Sequence, residues 1–153
     1  MPHDVRVTVY LCAKCSTELT PELRRLHAVP DVPADPDRTK GEVLAPSTVP
    51  RGYYAIEPEP WGAPYAPGRD PWSHAGGSCV SAGPRNTVVI HPEDAPLLQP
   101  LPGNGNGIGC CGPSGMYGPN RACPCGTVVA TLTADCLGPY ELHLDPVRVF
   151  ALD

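Results

Sequence analysis

The stretch Gly103-Asn104-Gly105-Asn106-Gly107-Ile108-Gly109-Cys110-Cys111-Gly112-Pro113-Ser114-Gly115-Met116-Tyr117-Gly118-Pro119-Asn120-Arg121-Ala122-Cys123-Pro124-Cys125-Gly126 runs into a short apolar segment and ends at Asp135-Cys136. Five of the eight cysteines lie in it. A thiol-dense, glycine-rich segment with few large apolar side chains cannot hold its shape by burial. Its composition calls for a structural metal, zinc, closed by Cys12 and Cys15 from far upstream.

The 153 residues suit a single domain, 1–153. The 22 prolines and 16 glycines, set against 41% hydrophobic residues, describe a folded chain with long irregular connections and a small core that needs a staple. The 11 basic residues are scattered among 16 acidic ones, for a net charge of -5, which disfavours nucleic acid as a partner. No apolar run approaches the roughly 20 residues of a membrane span. Residues 1–6 lack the basic and apolar regions of a secretion signal, so the expected location is the cytoplasm. In that reducing compartment cysteines serve as metal ligands or reactive thiols more often than as disulfides. The even count would suit disulfides if the chain were exported.

Val5, Val7, Val9 and Leu11 alternate with Arg6, Thr8 and Tyr10, the pattern of a strand with one buried face, and lead into Cys12-Ala13-Lys14-Cys15. Residues 20–26 read as a short helix with Thr20 as cap, Pro21 at the first position, Glu22 in the first turn, and Leu23 and Leu26 on one face. Residues 30–52, with five prolines, read as a surface loop or mobile linker, and residues 58–84, with six, as a second loop. Trp61 and Trp72 in that second loop pack it onto the sheet or form a recognition surface; burial is the commoner fate of such rings. Residues 53–57, 87–91, 126–133, 140–144 and 147–150 read as strands, and 92–95 as a turn or single helical turn. The expected fold is mainly β with one short helix: a small sheet carrying zinc-ribbon or knuckle-like sites, with long Pro/Gly-rich loops.

Cys12-x-x-Cys15 has the spacing at which two sulfurs of one tight turn reach a single tetrahedral ion, and is half a site. A redox dithiol shares the spacing, but there the first cysteine opens a helix, whereas here the helix is expected only from Thr20. Cys123-Pro124-Cys125-Gly126 offers the other half, its glycine allowing a tight turn around sulfur. Cys110, Cys111 and Cys136 remain, enough for a second site if a histidine, His91 or His74, joins them. Adjacent Cys110 and Cys111 alternate in direction and are not expected to share one ion readily. His143, between Leu142 and Leu144, is expected to face solvent, and Cys79 to be a buried, inert thiol. Gly103, Gly105, Gly107 and Gly109 are a poor match to a phosphate loop, since no Lys-Ser or Lys-Thr follows and no helix begins there. They are expected instead to let the backbone wrap around metal-bound sulfur at positive φ.

Gly109-Cys110-Cys111-Gly112, Gly118-Pro119-Asn120-Arg121, Cys123-Pro124-Cys125-Gly126 and Asp135-Cys136, with Cys12-x-x-Cys15 and Leu19-Thr20, together resemble a group of actinobacterial cysteine-rich proteins that share this pattern. The resemblance implies a bacterial cytoplasmic protein that binds zinc, and brings no assigned activity. Four thiolates leave an ion no open position, so the sequence points to a zinc-binding interaction module with a protein partner and away from an enzyme. Two alternatives use Cys110 and Cys111: thiol-based redox chemistry, with Asp135, Cys136 and a histidine nearby, or carriage of Cu(I) or another soft ion.

Overall fold

A computed structural model of the protein describes residues 6–32, 46–67, 79–136 and 139–153, with only the backbone of Cys79. Among the described residues there are eleven strands: β1 (Val7–Cys12), β2 (Leu23–Arg25), β3 (Tyr53–Glu57), β4 (Tyr65–Pro67), β5 (Cys79–Ser81), β6 (Thr87–Ile90), β7 (Gln99–Pro100), β8 (Arg121–Ala122), β9 (Val128–Thr133), β10 (Glu141–Leu144) and β11 (Val149–Leu152). Nine form one sheet in the order β11-β1-β2-β3-β6-β10-β9-β8-β7, and β4 pairs with β5 apart from it. The sheet is antiparallel except where β2 runs parallel to β3. It is thus mainly β as expected, but the main sheet is large instead of small.

Period two decides which side chains meet. Register places Tyr54, Ile90, Leu142 and Leu132 in one row across β3, β6, β10 and β9, and Ile56, Val88, Leu144 and Ala130 in the next. These rows join Tyr10, Cys12, Leu19, Leu23, Cys123, Val129 and Val149 in the core. The opposite face carries Ala55, Val89, His143 and Thr131 in register, with Thr87 and Glu141 beside them. That face is also buried, with Trp61 stacked on His143 and Thr48 bonded to Glu141. All four residues of β6 and all four of β10 are therefore enclosed. His143 does point away from its leucine neighbours, but it meets a covering segment and is only 3% exposed, so the expectation of solvent fails there.

Residues 20–26 do not form the expected helix. Two turns are marginal without tertiary support, and here β1 and β3 offer strand partners on both sides, Thr8↔Leu23 and Arg24↔Tyr53. Thr20 caps no helix; its hydroxyl accepts from the Tyr10 amide at 3.1 Å. The buried face of β1 is likewise not the valine face. Thr8, Tyr10 and Cys12 turn inward, because Thr8 bonds Tyr54 and Asp153 and Tyr10 packs edge-on against Tyr54; of the expected face Val7 and Val9 are half-buried and Leu11 is buried. Val5 lies outside the described residues.

The described parts of residues 30–52 and 58–84 include paired and anchored segments. Residues 58–84 contain β4 and β5, and Trp61 of that segment packs on the sheet; Trp72 falls outside the described residues. Of residues 30–52, the part from 46 onward is anchored: Val49 is fully buried, and Arg51 Nε and the Gly52 amide both donate to the buried Asp94 carboxylate. Asp94 belongs to a 3-10 helix of one turn, Pro92–Asp94, as residues 92–95 led one to expect.

Candidate metal centre

Two turns of similar build carry four of the cysteines. At the end of β1 the Cys12 amide donates to Thr17 O at 2.9 Å and the Ser16 amide to Cys12 O at 2.8 Å, closing Cys12-Ala13-Lys14-Cys15-Ser16-Thr17. Between β8 and β9 the Cys123 amide donates to Thr127 O at 2.8 Å and the Gly126 amide to Cys123 O at 2.8 Å, closing Cys123-Pro124-Cys125-Gly126-Thr127. In each, the residue after the second cysteine has positive φ: Ser16 at 62° and Gly126 at 93°. Each ends in a threonine whose hydroxyl lies near the second sulfur, 3.0 Å for Thr17 and Cys15, 3.2 Å for Thr127 and Cys125. The paired phrases Cys15-Ser16-Thr17 and Cys125-Gly126-Thr127 are the sequence signal of this likeness.

The turns face one another. Cys12 Sγ lies 3.7 Å from Cys125 Sγ and Cys15 Sγ 3.6 Å from Cys123 Sγ, and all four sulfurs fall within 4.8 Å of each other. A disulfide needs about 2.05 Å, so neither pair is bonded. A cation with four thiolates at about 2.3 Å in a tetrahedron spaces its sulfurs about 3.8 Å apart, and the donor set fits that requirement. Cys12 and Cys123 are buried, whereas Cys15 and Cys125 are exposed. Three of the four, Cys15, Cys123 and Cys125, are displaced from the ordinary thiol range. Cys125 is pulled down to about 6, chiefly by the Thr127 hydroxyl and then the Thr127 amide, and Cys15 is lowered by the matching groups of Thr17. Cys123 is pushed up to about 12, chiefly by burial. Cys125 is thus the sulfur of the set most readily present as a thiolate.

The second group lies at the other end of β9. Cys110, Cys111 and Cys136 bring their sulfurs within 4.8 Å of one another, although adjacent cysteines were expected to diverge. The chain here is not extended. Ser114 bonds back to Ile108 O at 2.9 Å, and the Asp135 carboxylate accepts from three amides, Cys110 at 3.2 Å, Cys111 at 3.0 Å and Cys136 at 2.8 Å. Those bonds, that from Cys111 first, hold Asp135 below the ordinary carboxylate range. Cys136 is pushed up to about 12, chiefly by the neighbouring Cys111 thiol. Of the four glycines ahead of Cys110, only Gly103 has positive φ, at 64°. Gly109 matters for close approach instead, since a Cβ there would overlap the Gly112 carbonyl oxygen.

All seven candidate cysteines therefore fall into two groups, of four and three. No histidine joins either group among the described residues. His91 uses Nδ1 to accept from the Glu93 amide at 3.0 Å and sits edge-on to Tyr140; His74 and the Cys79 side chain lie outside the description. Sequence reasoning missed the capping role of Asp135 and a buried polar chain behind the sheet. In that chain Thr48 donates to Glu141 at 2.6 Å, Glu141 meets His143 Nε2 at 2.8 Å, and His143 Nδ1 meets Thr87 at 2.9 Å. The Glu-x-His spacing on one strand was the available signal.

Fold and site together define a mainly β protein with two thiol clusters able to hold metal ions. No protein-family profile matches the chain, and no curated protein or solved structure is significantly similar to it. Among the described residues no helix is long and apolar enough to cross a membrane.

Proposed function

We propose that the protein is a zinc-pinned interaction module of the knuckle or ribbon kind, acting on a protein partner in a bacterial cytoplasm. The observation that carries this reading is the convergence of Cys12, Cys15, Cys123 and Cys125 within 4.8 Å. Thiolates select soft and borderline ions, and a four-sulfur set is one of the standard structural zinc environments. Such a set is closed, so the ion fastens the chain and takes no part in chemistry. Its place supports the role, because it clips β1 to the β8-β9 connection, elements far apart in the order of the sheet. Exposed Phe150 and Leu152 on β11, at one edge of the sheet, give a protein partner apolar surface to engage.

The test is native mass spectrometry with elemental analysis, followed by chelation. The expected result is zinc in the protein as isolated and loss of the folding transition when it is removed, since structural zinc supplies about 10–16 kcal/mol in small zinc peptides. Metal-free protein with an unchanged cooperative melt overturns the reading.

A further inference from the structure

The three-sulfur group is separate from the four-sulfur set. The six residues of β9 stand between them, about 20 Å of strand. We propose that Cys110, Cys111 and Cys136 form a surface site for a soft monovalent ion in three-coordination, Cu(I), held exchangeably.

The donor set argues for this first. Three sulfurs lie within 4.8 Å of one another, and among the described residues no imidazole or carboxylate atom lies that close to all three. The nearest carboxylate, Asp135, is held by the loop itself: Oδ1 accepts from the Cys111 and Cys136 amides, Oδ2 from the Cys110 amide, and the Cys136 thiol donates to it as well. Zinc seeks a fourth ligand, nitrogen, oxygen or sulfur. An all-thiolate set of low coordination selects a softer ion, and Cu(I) is the biological example.

Pre-organisation argues for it next. Asp135 fixes the amides of the same three residues whose sulfurs converge, so the loop is shaped before an ion arrives. Gly109 and Gly112 make that possible; a Cβ at Gly112 would come within 2.6 Å of Ala134 O. Access argues for exchange. Cys110 and Cys111 are exposed and Cys136 is half-buried, whereas the four-sulfur set hides two of its ligands. On binding, each thiol releases its proton to solvent as its sulfur bonds the ion. Copper stays Cu(I), no electrons move, and no co-reactant is needed.

The experiment uses zinc-loaded, fully reduced full-length protein under anaerobic conditions, titrated with Cu(I) against a competing copper chelator. Expected is one equivalent of Cu(I) with zinc retained, and a copper-edge absorption spectrum showing three sulfur neighbours. The Cys110→Ser/Cys111→Ser/Cys136→Ser variant should lose this binding while keeping its zinc and its melting temperature. Should that variant fail to fold, Cys111→Ser, altered at one exposed position, serves in its place. As a positioning residue, Asp135 should reveal itself in Asp135→Asn, which weakens copper binding about 10- to 100-fold without changing the sulfur count. Copper that displaces zinc, binds the triple variant equally, or shows two or four sulfurs overturns the proposal, as does reduced protein that binds none. Absence of zinc in the isolated protein would instead strike the preceding proposal, leaving the copper titration of the three-sulfur group to be judged separately.

Discussion

The Trp61 indole lies flat on the His143 imidazole, with ring centroids 3.4 Å apart and planes inclined by 8°. The ring beneath it is bonded at both nitrogens, to Thr87 and to Glu141, so the stack closes a buried polar chain on the face of the sheet opposite the core. Buried polar groups are tolerated only when every member has a partner. Removing one member should cost more than the net value of its bond.

Glu141→Gln tests that chain. Burial alone would raise Glu141, but its bonds from His143 and Thr48 hold it below the ordinary range. A carboxylate depressed in the folded state stabilises above its unfolded pKa, and that contribution is lost as pH falls through the folded value. The substitution should cost about 2–4 kcal/mol near neutral pH. Chemical denaturation from pH 7 downward should show the gap between wild type and variant narrowing below about pH 4.5. A gap that stays constant across that range refutes the assignment.

Cys125→Ser tests the four-sulfur set. A hydroxyl is a far poorer ligand for a soft or borderline ion, so metal affinity and the melting transition should fall together. The pairing of exposed Cys125 with buried Cys12 at 3.7 Å predicts that Cys12→Ser behaves alike. Unchanged metal content by elemental analysis in either variant counts against a shared ion.

Ser16 sits at φ 62°, where a side chain is disfavoured by about 1–2 kcal/mol. Glycine would relieve this at an entropic cost of about 0.5–1 kcal/mol. Ser16→Gly should therefore raise stability by about 0.5–1 kcal/mol, read as a shift in denaturation midpoint with unchanged slope. The matching turn already has Gly126, and Gly126→Ala should move stability the other way.

Asn120 is fully buried and stands in for a strand, accepting from the Leu132 amide at 2.7 Å and donating to Leu132 O at 3.0 Å. Asn120→Ala leaves both backbone groups without that partner and should cost about 2–4 kcal/mol. Amide exchange should quicken first at Leu132. Protection there equal to wild type would exclude the role.

How much of this the sequence disclosed depends on where the deciding force lay. The strands at 87–90 and 128–133 were legible because β-branched runs bounded by turns have few other uses. Residues 20–26 misled because capping and periodicity are local, whereas the slot between β1 and β3 is set by the whole sheet. The inward face of β1 was hidden for a related reason. Thr8 and Tyr10 are polar enough to read as outward, and only their partners Tyr54 and Asp153 make burial acceptable. In the site, cysteine spacing disclosed the two pairs of the first set. It did not disclose that Cys110 and Cys111 converge, because that depends on Asp135 gathering amides from both sides of a loop.

The separation of Cys12 from Cys125 by 113 positions has a bearing on how the chain is made. At about 5–20 residues per second of synthesis, the upstream pair waits on the order of ten seconds before its counterparts leave the ribosome. During that interval its sulfhydryls are open to oxidants and stray ions. A fragment halted before residue 123 lacks two of the four sulfurs that converge in the first group.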